Sequence, residues 1–478
     1  MRRFHEAEGT RVRADILIAA WILSWIFPAS AIGQPSTPLR AGVAQVDITP
    51  PPGLPLYGYF DRITKHQVAT GTLDPLYGRV LVLEAGGKRV ALVTLDLGRT
   101  FDESWLARLR DIAKRSSRID QVMVTASHTH SGPNILDVYP EGRPPAWQGA
   151  TLQKISDAIQ QAVRHMEPVR LGTGQGKAQI GYNRRRVDAN QNVTMLWSNP
   201  EKLPTTPVDP TVTVVRVDRE NGTPLAILVN YACHPVILGS DNLQYSADFV
   251  GTMSESVTSA FPGKPICLFL QGADGDINPY YATTPLDQSG IQKKDWTGHE
   301  LGAEVVRVAK EIRTKSSSGS VEFADDVLEF PWRWDPQTFH DNLLRVDGPL
   351  VFEDHAGQLA ASPLPSPIAL HVASLLINKQ IAIIGMPGEP FVDFQINLRD
   401  RCPVENCVLT SYTNGYFDYF PTIVAASQGG YGAADSNTYV PIGAGEKMVD
   451  HALIRTYEIL GKLKPVPALE NDTQPSQQ

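Results

Sequence analysis

Two histidines separated by a single residue are the clearest sign of chemistry in this 478-residue chain. His128 and His130 lie in the stretch Ser-His-Thr-His-Ser-Gly-Pro, directly after the apolar run 121–126. Alternate residues of an extended chain point to the same side, so both imidazoles are expected to face one pocket. Imidazole is the commonest metal ligand in proteins, and zinc accepts it readily. The spacing therefore indicates a metal site, although two polar residues in a strand-end loop would give the same motif.

Three further polar segments follow apolar runs in the same way. His234 follows the run 226–232, and the segment 271–279 (Gln-Gly-Ala-Asp-Gly-Asp-Ile-Asn-Pro) follows the run 266–270. Glu389 follows the second half of an apolar hairpin. Two histidines and one carboxylate are a common ligand set of catalytic zinc sites, so these segments are candidates for one site. Taken singly, each has a structural alternative: a hydrogen-bonded core histidine, a tight Gly- and Asp-rich turn, and an ordinary loop acid.

The elements that must position these residues show two kinds of pattern. Strand-like apolar runs are predicted at 80–84, 90–96, 121–126, 212–217, 226–232 and 266–270, with a hairpin over 369–386. Helical stripes are predicted at 105–112, 152–166, 249–257, 301–312 and 448–463. Interleaved strands and helices predict an α/β fold with a mixed β-sheet core flanked by helices, in a single large catalytic domain.

Both ends of the chain lie outside this predicted domain, which spans residues 41–464. The N-terminus has a positive segment, a short apolar run at 16–27 and an Ala-Ser-Ala site after it. This order is typical of a cleaved export signal over 1–31, and the run is short for the alternative, a membrane anchor. We therefore predict an exported protein, periplasmic or secreted, with a polar linker at 32–40 and a flexible tail at 465–478.

Composition narrows the classes of protein to which this chain can belong. Hydrophobic residues make up 42% and charged residues 20% of the sequence, as in globular proteins. The net charge of −8 argues against a nucleic-acid partner, which needs clustered basic residues. None of the four cysteines forms a CxxC pair, so a thiolate zinc site is not expected. Cys402 and Cys407 can close a short disulfide loop in an oxidising compartment, whereas Cys233 and Cys267 are expected in the core.

The order of the motifs resembles that of the neutral, non-lysosomal ceramidase family over residues 41–463. The shared segments are Ala41-Gly42 to Asp47-Ile48-Thr49, Ser127 to Pro133, Asn183-Arg184, His234, Ser246-Ala247-Asp248, Gly275 to Pro279, Pro387-Gly388-Glu389, and Tyr419 to Tyr431. The resemblance implies a hydrolase domain of the ceramidase type that binds zinc, Zn²⁺. The implied ligands are His128, His234, Glu389 and Tyr419.

The resemblance also implies roles for residues around the metal. His130 matches a histidine that handles protons, Arg184 matches an arginine that faces the reacting centre, and Tyr431 matches a second active-site tyrosine. Asn278 stands where the family normally has a serine that is regarded as catalytic. An amide side chain is not an activated nucleophile. We therefore expect water to attack the substrate directly, with no acyl-enzyme, while Asn278 orients water or substrate through hydrogen bonds.

The implied activity is hydrolysis of an amide bond, as in cleavage of an N-acylsphingosine into a fatty acid and a sphingoid base. The expected partner is a lipid or small-molecule amide substrate, and a lipid substrate would bring transient contact with a membrane surface. Typical family members also carry a smaller C-terminal β-domain after the segment that this chain matches. Two alternatives stay open: a zinc hydrolase of the same fold acting on a non-lipid amide or ester, and a non-catalytic ligand-binding protein.

Overall fold

The computed structural model describes residues 38–464, apart from 138, 140–141, 317–318, 336, 339–340, 342–366 and 434–436. The predicted export signal over 1–31 and the predicted tail at 465–478 lie outside the described residues. Within the described residues the helices are α1 (Phe60–Thr64), α2 (Glu103–Ser117), α3 (Ala146–Arg164), α4 (Phe249–Ser259), α5 (Gly290–Glu311), α6 (Val392–Arg401), α7 (Ile423–Gln428) and α8 (Ala444–Ile459).

The strands of the same described residues are β1 (Arg40–Asp47), β2 (Gly71–Thr72), β3 (Tyr77–Ala85), β4 (Lys88–Leu95), β5 (Gln121–Ala126), β6 (Glu167–Lys177), β7 (Gly181–Asn183), β8 (Arg185–Val187), β9 (Val193–Met195), β10 (Thr211–Arg219), β11 (Pro224–Tyr231), β12 (Gln244–Tyr245), β13 (Ile266–Gln271), β14 (Ile277–Pro279), β15 (Lys315–Ser316), β16 (Val321–Phe330), β17 (Ile368–Ile377), β18 (Ile381–Gly385), β19 (Glu389–Pro390), β20 (Asn406–Thr410) and β21 (Tyr419–Phe420). Every strand-like run, helical stripe and hairpin predicted from the sequence corresponds to one of these elements.

The strands form two main sheets. The larger sheet has the order β13-β11-β10-β6-β1-β3-β4-β5, with β15 also paired to β6. Its pairs β4–β5 and β11–β13 are parallel, and its other pairs are antiparallel. The smaller sheet has the order β16-β17-β18-β20, in which only the pair β18–β20 is parallel. Both sheets are therefore mixed.

The two sheets stack face to face, and helices cover their outer faces. One apolar cluster contains residues of both sheets, among them Leu83, Leu92, Leu375 and Ile383. Helices α2 and α3 pack on one part of the larger sheet and α4 and α5 on another, while α6 and α8 cover the smaller sheet. Covered faces on both sides explain why β11 is buried along its whole length and reads as one apolar run. The predicted α/β class is confirmed, and the second sheet makes it a four-layer fold.

Strand β6 was not predicted, because alternate residues on one of its faces are glycines. A Cβ on Gly174 would lie 2.9 Å from the side chain of Ile312, and a Cβ on Gly176 would lie 2.0 Å from Oε1 of Glu304. These glycines therefore permit helix α5 and the residues after it to approach the strand closely. The same feature removes the apolar alternation by which a strand is recognised in a sequence.

The structure also bears on the predicted disulfide and on membrane-spanning helices. All four cysteines are free thiols, so the disulfide that Cys402 and Cys407 can form is not made in this structure. Cys233 and Cys267 are buried, as expected. Among the residues described, no helix combines the length and the apolar character needed to cross a bilayer.

Candidate active site

The polar segments identified from the sequence lie at the carboxyl ends of parallel strand pairs. Strands β5, β11 and β13 of the larger sheet and β18 and β20 of the smaller sheet all lead into this region. Hydrogen bonds join the segments that follow them: the Ser411 amide donates to the Gln271 carbonyl (2.8 Å), and the Ala126 amide donates to the Tyr412 carbonyl (3.3 Å). Side chains from both sheets therefore meet where parallel strands usually place a ligand site.

His128 and His234 are buried, and each is oriented by a backbone carbonyl. Nδ1 of His128 lies 2.6 Å from the carbonyl oxygen of Gly98, and Nδ1 of His234 lies 3.1 Å from that of Ile277. A carbonyl oxygen can only accept, so Nδ1 of each ring carries a proton, and Nε2 is the nitrogen whose lone pair a metal can use. Burial lowers the pKa of His128 to about 3, which keeps its ring neutral at pH 7.

Glu389 brings a carboxylate to these two lone pairs. Its Oε2 lies 3.2 Å from Nε2 of His234, and its Oε1 lies 3.6 Å from Nε2 of His128. The Tyr416 hydroxyl lies 2.7 Å from Oε1 of Glu389, and a hydroxyl donor at this distance favours the carboxylate form. Lone pairs of two imidazoles and an ionised carboxylate thus converge with no proton of His128 or His234 between them. A divalent cation relieves the resulting repulsion, so the donor set fits zinc.

His130 lies against the same cluster. The ligand-type nitrogens of His128, His130 and His234 all lie within 4.8 Å of one another, and Nε2 of His130 is 3.2 Å from Nε2 of His128. Nδ1 of His130 is buried and has no hydrogen-bond partner among the described residues. Gly58 lies directly over it, since a Cβ there would be 2.3 Å from Nδ1. Nε2 is therefore the nitrogen of His130 that faces the candidate metal position.

Arg184 lies next to Tyr419 in the site and is buried among polar and aromatic groups. One terminal nitrogen donates to the Gly275 carbonyl (2.7 Å) and to the Tyr419 hydroxyl (3.0 Å), and the other donates to Oδ1 of Asn278 (3.4 Å). Nε has no acceptor among the described residues. The guanidinium also lies 5.3 Å from the ring centre of Tyr431. The structure thus brings together Arg184, Asn278, Tyr419 and Tyr431, four residues predicted from the sequence.

Tyr419 lies beside Glu389 because their short strands pair. β19 and β21 are parallel, and Glu389 is opposite Tyr419 in the register. Gly275 permits the neighbouring loop to pack onto this pair, since a Cβ there would be 2.4 Å from the Glu389 carbonyl oxygen. Burial is the main reason why the pKa of Tyr419 is raised well above its ordinary value, so its hydroxyl is protonated in this structure.

The tyrosines Tyr57 and Tyr416 contact the site but were not predicted from the sequence. The Tyr416 hydroxyl donates to Oε1 of Glu389 (2.7 Å) or to Oδ1 of Asp418 (2.8 Å). The Tyr57 hydroxyl donates to the Tyr416 hydroxyl (3.0 Å). Tyr57 also makes edge contacts with the rings of His128 and His130. Tyr57 follows no apolar run that would mark it. Tyr416 stands three residues before Tyr419, and this short spacing was the one signal in the sequence that it could belong to the site.

The fold and this arrangement define an α/β domain with a histidine- and carboxylate-rich centre at the strand ends. The profile of the family "neutral/alkaline non-lysosomal ceramidase, N-terminal" matches residues 39–294. The chain belongs to this family.

Individual relatives agree with this assignment. The chain is 25% identical over 415 residues to a neutral ceramidase of Mycobacterium tuberculosis, covering 70% of this chain and 64% of the relative. It is 27% identical over 282 residues to a neutral ceramidase of Pseudomonas aeruginosa, covering 55% and 40% of the two chains. These matches span less than two thirds of the relatives' lengths. The crystal structure of the Pseudomonas aeruginosa neutral ceramidase has the same fold, with a TM-score of 0.71 and 18% identity over 92% of this chain and 76% of that one.

Proposed function

We propose that this protein is a zinc-dependent hydrolase that cleaves the amide bond of an N-acyl substrate, as a ceramidase does. The observation that carries the proposal is the convergence of Nε2 of His128, Nε2 of His234 and the Glu389 carboxylate on one position. The family membership and the names of the relatives support the choice of an amide substrate.

His128, His234 and Glu389 would hold the zinc ion, with the Tyr419 hydroxyl as a fourth ligand. A zinc ion in such a set polarises a carbonyl group and lowers the pKa of water towards neutrality. The chain's own residues supply the rest. The Gly98 and Ile277 carbonyls fix the orientation of the two imidazoles, and the Tyr416 hydroxyl lies within hydrogen-bond distance of Oε1 of Glu389.

His130 is placed to move a proton between water and the leaving amine. Burial lowers the pKa of His130, so the ring is neutral at pH 7 and one of its nitrogens is free to accept a proton. Because Gly58 covers Nδ1, the transfer takes place at Nε2. Positioned proton transfer of this kind contributes about 10²- to 10⁴-fold to a rate.

Arg184 is placed to stabilise negative charge on the substrate oxygen. It is a buried cation with donors aimed at Tyr419 and Asn278, on the side of the site where Glu389 pairs with Tyr419. Trp197 is 49% exposed and contacts the Tyr431 ring, so an apolar wall adjoins this cation. An amide carbonyl attached to an acyl chain presents matching polar and apolar parts, which favours a lipid-like N-acyl substrate.

Replacing Asn278 with alanine should slow turnover without abolishing it. The side chain accepts a long hydrogen bond from Arg184, and its Nδ2 lies 3.5 Å from the Trp197 carbonyl. Loss of one such hydrogen bond costs about 1–3 kcal/mol, or roughly ten- to a few hundred-fold in rate. Steady-state kinetics on an N-acyl substrate measures the effect, and Asn192→Ala in an exposed turn is the matched control.

Mass spectrometry after a substrate quench distinguishes direct attack by water from an acyl-enzyme. Because Asn278 cannot act as an activated nucleophile, the wild-type protein should show no covalent acyl adduct. An acyl group trapped on any side chain of the wild-type protein would refute the direct mechanism. A completely inactive Asn278→Ala variant would instead show that Asn278 does more than orient water or substrate.

A further inference from the structure

Tyr412 lies behind the candidate metal ligands in an unusual backbone conformation. It follows strand β20, its side chain is fully buried, and its φ is +50°. A bulky residue in the left-handed region is a genuine outlier, and such strain persists only where the surroundings enforce it. Here the Tyr412 amide donates to the Gly388 carbonyl (3.1 Å), and its carbonyl accepts from the Ala126 amide (3.3 Å). The residue is thereby tied to the chain segments that carry Glu389 and His128.

The Tyr412 ring lies flat against the ring of His128. The two ring centres are 4.1 Å apart and the planes differ by 12°. The Gly98 carbonyl fixes His128 at one edge, but a single hydrogen bond leaves rotation about that bond open. A stacked ring on one face restricts this rotation. Tyr412 thus completes the orientation of one candidate ligand.

Asp274 connects the Tyr412 hydroxyl to His234, the second candidate ligand. The hydroxyl donates to Oδ1 of Asp274 at 2.8 Å, and Oδ2 of Asp274 lies 3.4 Å from Nδ1 of His234. Oδ2 is completely buried and has no hydrogen bond from the described residues, although Nδ1 of His234 lies within ion-pair distance of it. A buried carboxylate oxygen without a donor is costly in free energy, which argues against a role in packing alone.

We propose that Asp274 and Tyr412 act as one positioning unit that orients His128 and His234 together and sets the affinity of the site for zinc. The inference rests on the proposed zinc site. Carboxylates that contact the non-ligating nitrogen of a metal-binding histidine fix the ring, and their loss typically weakens metal binding 10- to 100-fold. The hydrogen bond between Tyr412 and Asp274 joins this contact to the stacked ring, so a change at either residue reaches both imidazoles.

Zinc affinity of the full-length protein, measured by competition with a chelating indicator, tests the pair. Asp274→Asn should weaken binding about 10- to 100-fold. Tyr412→Phe keeps the stacked ring but removes the hydroxyl, and should weaken binding about five- to tenfold. Because the two residues act as a unit, the double variant should bind about as weakly as Asp274→Asn alone. Tyr245→Phe is the matched control: the hydroxyl of this buried tyrosine donates to the Pro51 carbonyl (3.3 Å), and its removal should leave the affinity unchanged.

The apo-protein melting temperature separates positioning from a purely structural role. If the variants melt earlier but bind zinc as tightly as the wild type, or if their effects on affinity simply add, the proposed unit is refuted. A wild-type protein that binds no zinc would instead refute the proposed function, which requires a zinc ion at this site.

Discussion

Substituting His234 with alanine is expected to remove zinc from the protein. The wild type should carry one zinc ion per chain, held by the lone pairs that meet between His128, His234 and Glu389. Zinc sites with four ligands bind with about 10–16 kcal/mol, so one ligand accounts for roughly 3 kcal/mol and its loss weakens binding about 10²- to 10³-fold. Elemental analysis after dialysis against a weak chelator gives the zinc content directly, and amide hydrolysis should fall with it.

His165→Ala is the matched control for this variant. His165 is exposed at the end of helix α3, and its Nδ1 lies against the Gln161 carbonyl of the same helix. Its replacement should leave zinc content and activity as in the wild type. Full zinc occupancy in His234→Ala would show that His234 is not a ligand.

Replacing His130 with phenylalanine is expected to separate turnover from zinc binding. Phenylalanine keeps a ring between Tyr57 and Tyr59 but has no nitrogen to accept a proton. The variant should retain zinc while kcat falls by about 10²- to 10⁴-fold, the usual contribution of a positioned general base. Zinc content and kcat measured on the same preparation give both quantities.

The histidine cluster makes this experiment discriminating. His130 lies as close to His128 as a third ligand would, since their Nε2 atoms are 3.2 Å apart. If His130→Phe loses zinc as His234→Ala does, His130 is a metal ligand and the assignment of proton transfer to it is wrong.

The parts of the fold that the sequence predicts correctly are those set by local patterns. The run before His128 became strand β5 with the predicted bounds, and the hairpin over 369–386 became β17 and β18. Polar residues that end apolar runs met at one edge because parallel strands end together. For the same reason, the meeting of His128, His234 and Glu389 was predictable.

The remaining parts depend on contacts between residues far apart in the sequence. Tyr57 reaches Tyr416 across 359 positions, and Tyr412 reaches Asp274 across 138. No local periodicity marks such residues, because their environment is created by the stacking of the two sheets. That stacking itself was not predicted, since a strand covered on both faces has the same apolar run whether a helix or a second sheet lies against it.

Zinc depletion and restoration of the wild-type protein, with hydrolysis of an N-acylated sphingoid base as readout, tests the central claim most directly. A fluorogenic short-chain amide and an ester, assayed in parallel, show whether another substrate is preferred. We predict that removal of zinc with a chelator abolishes hydrolysis and that one equivalent of zinc per chain restores it. Full activity of the depleted protein would contradict zinc dependence. If the protein carries one zinc per chain but turns over no amide or ester, the assignment as an enzyme is wrong. That result would indicate a ligand-binding protein of the same fold.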